Sequence, residues 1–318
     1  MTTTLFWLGL LLSFNSLATE KTLIRIGVQA GGTAEWELPE LQAQLKKTPA
    51  DFELSVQQVA NAEAGKIALQ SGAVDIIVSD WIWVSSLREK GADFTFYPYS
   101  ETSGALVVPK DSAIQSIKDL QGKRLGIAGG ELDKNWLLLQ TLAAQQGIDL
   151  DNSVEKVFGA PPLINEQIKQ GRIDAALNYW HFAARLEGDG YRTIIDGRGI
   201  LKGLGITESV ANLGYVFKQS WADQHKAALK QFFAASKQAK QTLCSSDDAW
   251  KKVIPLSKVE GEAIQTRLRQ GYCSGAIEHW GNTEQNAAGK VYSLLQKQSK
   301  QALTGKSEQI QAGTFWAE

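Results

Sequence analysis

The stretch Lys123-Arg-Leu-Gly-Ile-Ala-Gly-Gly-Glu-Leu-Asp-Lys-Asn-Trp136 offers the clearest chemical opportunity in the chain. It reads as a short strand, 124–128, then a Gly129-Gly130 turn, then an amphipathic helix. A glycine pair lets the backbone turn sharply and admits a ligand where a Cβ would stand. The helix that follows presents unpaired N–H groups and a partial positive charge over the turn, which suits an anion. Covalent chemistry has weaker footing. Gly271-Tyr-Cys-Ser-Gly275 matches a G-x-C-x-G nucleophile elbow on paper, but that elbow needs a strand before it, and 263–269 reads as helix. The histidines His181, His225 and His279 share no metal spacing with one another or with the two cysteines. No catalysis, metal or resident cofactor is therefore expected.

Composition narrows the class further. The chain has 318 residues, with 33 basic against 34 acidic side chains, so no basic face and no nucleic-acid partner is implied. Ten tryptophans against one methionine is the unusual feature. Residues 1–18 read as a cleaved signal peptide. Leu5 to Phe14 is an apolar run too short to span a bilayer, and Ser16-Leu-Ala18 is a small-x-small site with the cut before Thr19. The mature product is expected to be a soluble periplasmic monomer. Cys244 and Cys273, an even count in an exported chain, are expected to be bonded; two buried thiols acting as small apolar side chains are the alternative.

The elements that must position these residues alternate from Thr22 onward. Strands are expected at 23–29, 52–59 and 74–79, with helices over 35–45, from Asn61 to Gly72, and over 81–88 behind Asp80 as N-cap. A βαβαβ run calls for a parallel sheet with helices on both faces. A second set follows, with strands at 94–97, 104–108, 124–128, 154–158, 173–178 and 191–195, and helices at 161–170 and 180–187. The glycines at 197, 199, 203 and 205 suggest a loop, and 213–217 a returning strand. From Trp221 the periodicity is helical, and the tail aromatics Phe315 and Trp316 are expected to dock. No internal repeat, low-complexity tract or long charge run is visible.

Ile114-Gln-Ser-Ile-Lys-Asp-Leu-Gln-Gly-Lys-Arg-Leu-Gly-Ile-Ala128 resembles the I-x-x-(I/L)-x-D-L-x-G-K-x-(I/V/L)-(G/A) segment of periplasmic substrate-binding proteins that feed ABC importers. The nearest group is the nitrate, sulfonate, taurine and thiamine-precursor branch. Ala64-Gly-Lys-Ile-Ala-Leu-Gln-Ser-Gly-Ala-Val-Asp75 is similar to that group's step from a helix, through G-x-(V/I)-D, into the third strand. Gln170-Gly-Arg-Ile-Asp-Ala175 repeats the step. The cysteine motif of the eukaryotic thiamine-pyrimidine proteins is absent. The resemblance implies an α/β, type II-like two-lobe binding protein with two crossing strands and a ligand cleft between the lobes. Lobe 1 would be 19–105 with the mostly helical 212–318, and lobe 2 would be 106–211.

Carried onto this chain, the resemblance implies ligand contacts from Thr33, Glu35, Trp36, Ser79, Asp80 and Trp81 in lobe 1. In lobe 2 it implies Gly129, Gly130, Glu131, Lys134, Asn135, Trp136, Asn178, Trp180 and His181. The charges pull two ways. Helix N-termini and Lys134 suit a sulfonate or carboxylate, whereas Glu35, Asp80, Glu131 and Asp133 beside tryptophans suit an amine. Asp80 and Asp133 could equally be helix caps, and Trp83 reads as core. The implied function is capture of a small sulfonate- or taurine-like solute for an inner-membrane ABC permease. The alternatives are a cationic or heteroaromatic, thiamine-precursor-like ligand, and an accessory protein of the same fold that docks on a periplasmic enzyme.

Overall fold

The computed structural model describes residues 21–48 and 50–317; the expected signal peptide and its expected cut before Thr19 lie outside the described residues. Among the described residues ten strands form two five-stranded sheets. They are β1 (Thr22–Gln29), β2 (Phe52–Val59), β3 (Ile76–Ser79), β4 (Phe94–Ser100), β5 (Gly104–Val108), β6 (Arg124–Ala128), β7 (Glu155–Gly159), β8 (Ala175–Tyr179), β9 (Arg192–Asp196) and β10 (Leu213–Lys218). The first sheet runs β2-β1-β3-β10-β4 and the second β7-β6-β8-β5-β9. In the first, β1 is parallel to β2 and β3, and β10 is antiparallel to β3 and β4. In the second, β6 is parallel to β7 and β8, and β5 is antiparallel to β8 and β9. One topology is thus used twice, although no repeat shows in the sequence.

The G-x-(V/I)-D steps explain part of that duplication. Gly72 and Gly171 take φ of +77° and +67°, conformations that glycine adopts without Cβ strain, and each ends a helix. The aspartate that follows reaches back to an arginine on the neighbouring parallel strand, Arg25 of β1 or Arg124 of β6. Asp75 accepts from Arg25 N at 2.9 Å and Arg25 Nε at 3.0 Å. Asp174 accepts from Arg124 N at 2.8 Å and Arg124 Nη2 at 2.7 Å. The same charge-assisted clamp therefore fixes helix to sheet in both lobes.

Two segments cross between the sheets, 101–103 outward and the chain before β10 in return. Asn212 ties them together: its N–H donates to the Ser100 carbonyl at 2.8 Å and its Nδ2 to the Thr102 carbonyl at 3.0 Å. Beyond β10 come helices Lys226–Ser245, Glu262–Ser274 and Asn282–Gln298. Cys244 and Cys273 are bonded, joining the first two. The G-x-C-x-G segment therefore lies at the end of a helix with its sulfur in a disulfide, not on a strand-to-helix elbow. The tail docks as expected, with Phe96 N–H donating to the Thr314 carbonyl at 2.8 Å and Trp316 N–H to the Phe96 carbonyl at 2.9 Å.

Two local expectations need correction. Thr33–Glu37 is a 3-10 turn, and the α-helix begins only at Leu38, where Pro39 occupies the first turn. A proline is tolerated there because its missing N–H is one of the unpaired ones. Gly197–Gly203 is a helix rather than a loop, because the Asp196 carboxylate accepts the Gly199 N–H at 2.7 Å and caps it.

Candidate functional site in the seam between the lobes

Four strand-to-helix junctions meet where the lobes face each other, and their side chains divide into spent and unspent groups. In lobe 1, the Glu35 carboxylate accepts from Gly31 N and from Gln58 Nε2, both at 2.7 Å. It braces its own loop rather than facing a solute. Thr33 is half-buried and reaches the Tyr99 hydroxyl, and Ser79 is buried. The Asp80 carboxylate caps the next helix by accepting from Trp83 N at 3.0 Å. Trp81 is core: it packs against Tyr292 and Phe315, and its Nε1 donates to the Ala211 carbonyl at 2.8 Å. Trp83, partly buried against Phe94, is also a packing residue.

In lobe 2, Gly129 has φ +95°, and a Cβ there would lie 3.0 Å from the Tyr179 hydroxyl. Gly130 meets nothing within 4 Å and Glu131 is exposed, so this turn stays open. Asp133 caps the helix Lys134–Gln145 by accepting from Asn135 N at 2.9 Å and Trp136 N at 3.1 Å, and burial raises its pKa. Asn135 is buried against Gly104, and Trp136 is 1% exposed in the core with Leu106 and Ile127. Asn178 is spent: its Nδ2 donates to the Pro161 carbonyl at 2.9 Å and Asn165 Oδ1 at 2.8 Å, and its Oδ1 accepts from Tyr179 N at 2.8 Å. A tryptophan placed early in a helix leans back towards the preceding turn and so towards the sheet. That geometry puts Trp81 and Trp136 in the cores, against the expectation from the resemblance that both contact the ligand.

Several contacts cross the seam, among them one charge pair and one ring pair. Lys134 Nζ lies 3.8 Å from Asp80 Oδ2, and the Trp36 and Trp180 rings meet edge to face at 6.0 Å. Trp36 is fully buried and also touches Trp250 at 5.9 Å and Tyr272 at 6.1 Å. Helix Trp180–Gly188 packs on Glu262–Ser274, with Gly271 under the Trp180 ring and Gly188 against Ile264. Beside Lys134, Trp81 and Asn135 a cavity of ≈ 60 Å³ remains, too small for an organic solute. A pocket of ≈ 340 Å³ opens on the flank between Thr102, Trp180, Arg198, Arg267 and Gly271. His181 follows Trp180, and burial together with Arg185 pushes its pKa down to about 3, so the ring is neutral.

A buried network beneath Trp36 went unread in the sequence. Glu37 accepts from Tyr99 Oη at 2.8 Å, from Ser236 Oγ at 3.1 Å and from the Tyr272 hydroxyl, and Lys240 Nζ stands 3.7 Å away. Lys240 also donates to the Tyr99 carbonyl at 2.8 Å. Arg185 was missed as well, although its spacing of four from His181 puts both on one helix face.

Two sheets of one topology, joined by two tied crossing segments and meeting at strand-to-helix turns, define a two-lobe α/β fold. Residues 31–249 match the NMT1/THI5-like family, and the chain belongs to it. No curated protein matches it in sequence. Among solved structures it is similar to the alkanesulfonate-binding protein SsuA of Xanthomonas axonopodis pv. citri bound to MOPS. Identity is 18%, coverage 93% of this chain and 99% of that one, and the TM-score 0.70. The periplasmic aliphatic sulphonate binding protein SsuA of Escherichia coli gives 16% identity, 93% and 97% coverage, and a TM-score of 0.74. An ABC transporter protein of Parabacteroides distasonis gives 15%, 94% and 100%, and 0.69. At these identities the neighbours establish the shared fold.

Proposed function

We propose that this protein is the periplasmic binding component of an ABC importer, which captures a small sulfonate- or taurine-like solute between its lobes and passes it to an inner-membrane permease. The observation that carries this reading is the meeting of junction residues across the seam, Asp80 with Lys134 and Trp36 with Trp180. Such contacts close a cleft over a solute, and residues 19–105 with 212–318 would move against 106–211 as the two bodies. The neighbours named for alkanesulfonates support the solute class by likeness. Native mass spectrometry of the mature protein taken from its own periplasm tests it. A co-purified small anion is expected; a ligand-free protein that binds neither taurine nor ethanesulfonate in calorimetry would contradict it. Binding of a quaternary ammonium compound alone would favour the cationic ligand instead.

A second reading has one observation behind it. Trp36, Trp180, Trp250 and Tyr272 fill part of the seam with the protein's own rings. An accessory protein that kept the fold but docks on a periplasmic enzyme needs no open cleft, and its lobes would stay rigid.

A further inference from the structure

Buried polar groups nearly always find partners, and one that does not calls for an explanation. Three such atoms lie in the seam: Trp36 Nε1, His181 Nδ1 and Arg185 Nε; the others among the described residues, on Ser153, Trp280 and Thr314, lie outside it. The three belong to surfaces that touch. Trp36 meets Trp180, and His181 and Arg185 are one turn apart on the helix that Trp180 opens. Arg185 Nη2 donates to the Ser257 carbonyl at 3.1 Å, and segment Ile254–Ser257 packs against Thr33–Glu37.

The charges at the two ends of the seam are opposite. Arg185 has no carboxylate partner among the described residues; it rests over the Phe182 ring at 4.6 Å, and burial alone lowers its pKa. Two buried carboxylates lie on Thr33–Glu37: Glu35 is engaged by Gly31 N and Gln58 Nε2, and Glu37 by Lys240 and three hydroxyls. At the other end Lys134 is faced by Asp80 at 3.8 Å, with Asp133 capping its helix and Glu131 exposed in the turn. An anion placed at Lys134 would meet three carboxylates. Placed at Arg185 it would meet one guanidinium and two buried polar nitrogens, and the carboxylates that flank Trp36, Glu35 and Glu37, are each already engaged by donors of their own.

We propose that the anionic head of the solute is bound at Arg185, with the Trp36 indole N–H and His181 Nδ1 completing its hydrogen bonds, and that Lys134 is not its anchor. This rests on the solute-binding reading above. One guanidinium with a neutral imidazole and a neutral indole suits a singly charged oxyanion, a sulfonate or a carboxylate, better than a dianion. The far end of the solute then faces Asp80 and Glu131, which suit an ammonium group.

Calorimetry on the full mature chain, with taurine, ethanesulfonate, propionate and choline as probes, tests the assignment and separates sulfonate from carboxylate. Arg185→Gln should weaken both sulfonates roughly ten- to hundredfold. Trp36→Phe keeps a ring in place and removes only the N–H, and should weaken them about fivefold. Circular dichroism confirms that each variant is folded, and the second remains informative if the first is not. Sulfonate binding undiminished in either folded variant, or a greater loss in Lys134→Gln than in Arg185→Gln, would overturn the anion assignment while leaving solute binding intact. A wild-type protein that binds none of the anions would overturn both.

Discussion

Glu37 carries the heaviest obligation of any single residue. It is 2% exposed, takes hydrogen bonds from Tyr99, Ser236 and Tyr272, and neutralises Lys240, which is itself 7% exposed. Burial lowers the Lys240 pKa, and the neighbouring carboxylate opposes that shift. Removing one partner of such a pair costs about 3–5 kcal/mol, because the other charge is left buried without compensation. Glu37→Gln should therefore lower the urea midpoint by that equivalent, and Glu37→Gln with Lys240→Met should recover much of the loss. His181 gives the second residue-scale prediction. Its folded pKa is about 3, against 6.5 for the free side chain. Between those values the unfolded chain binds a proton that the folded chain does not, so stability is present above pH 6.5 and is lost as pH falls towards 3. The slope is at most about 1.4 kcal/mol per pH unit. Subtracting the pH profile of His181→Gln from that of the wild type isolates it; identical profiles would show that the imidazole is not held neutral.

Among elements, the packing of helix Trp180–Gly188 on Glu262–Ser274 decides how the lobes sit. A Cβ at Gly188 would lie 2.6 Å from Ile264 Cα and 2.9 Å from its N, both backbone atoms that cannot swing aside. Gly188→Ala should cost about 1–3 kcal/mol as overpacking and loosen the seam, read as a lower midpoint and greater exposure of Trp36 to a fluorescence quencher. An unchanged midpoint would mean that the helices are not pressed together in solution. The elements were legible where a local rule governs them. The G-x-(V/I)-D steps place a glycine and an aspartate whose roles are fixed within one turn, and Asp80 and Asp133 stand where caps belong. The helix at Gly197–Gly203 was not legible, because four glycines outweigh a single capping aspartate in any local reading. Nor was the Glu37 network, whose partners stand 62 to 235 positions away along the chain. The tryptophans misled for a related reason: sequence places each at a junction, but the turn of the helix decides whether its ring faces core or seam.

The two sheets are joined at crossing segments that Asn212 pins together, which the proposed function takes as a hinge between two bodies. Such a hinge is useful only if the bodies part to admit a solute and close on it, a population shift that the solute drives by binding the closed form better. On the proposed function, the contacts of Asp80 with Lys134 and of Trp36 with Trp180 would belong to the closed form. Small-angle scattering, recorded without solute and at saturating taurine or ethanesulfonate, tests this most directly. The account predicts a larger radius of gyration without solute, and with it a fall to the value calculated from the closed structure. Superimposable curves, with binding confirmed by calorimetry in the same samples, would contradict capture by closure and leave a rigid scaffold in its place.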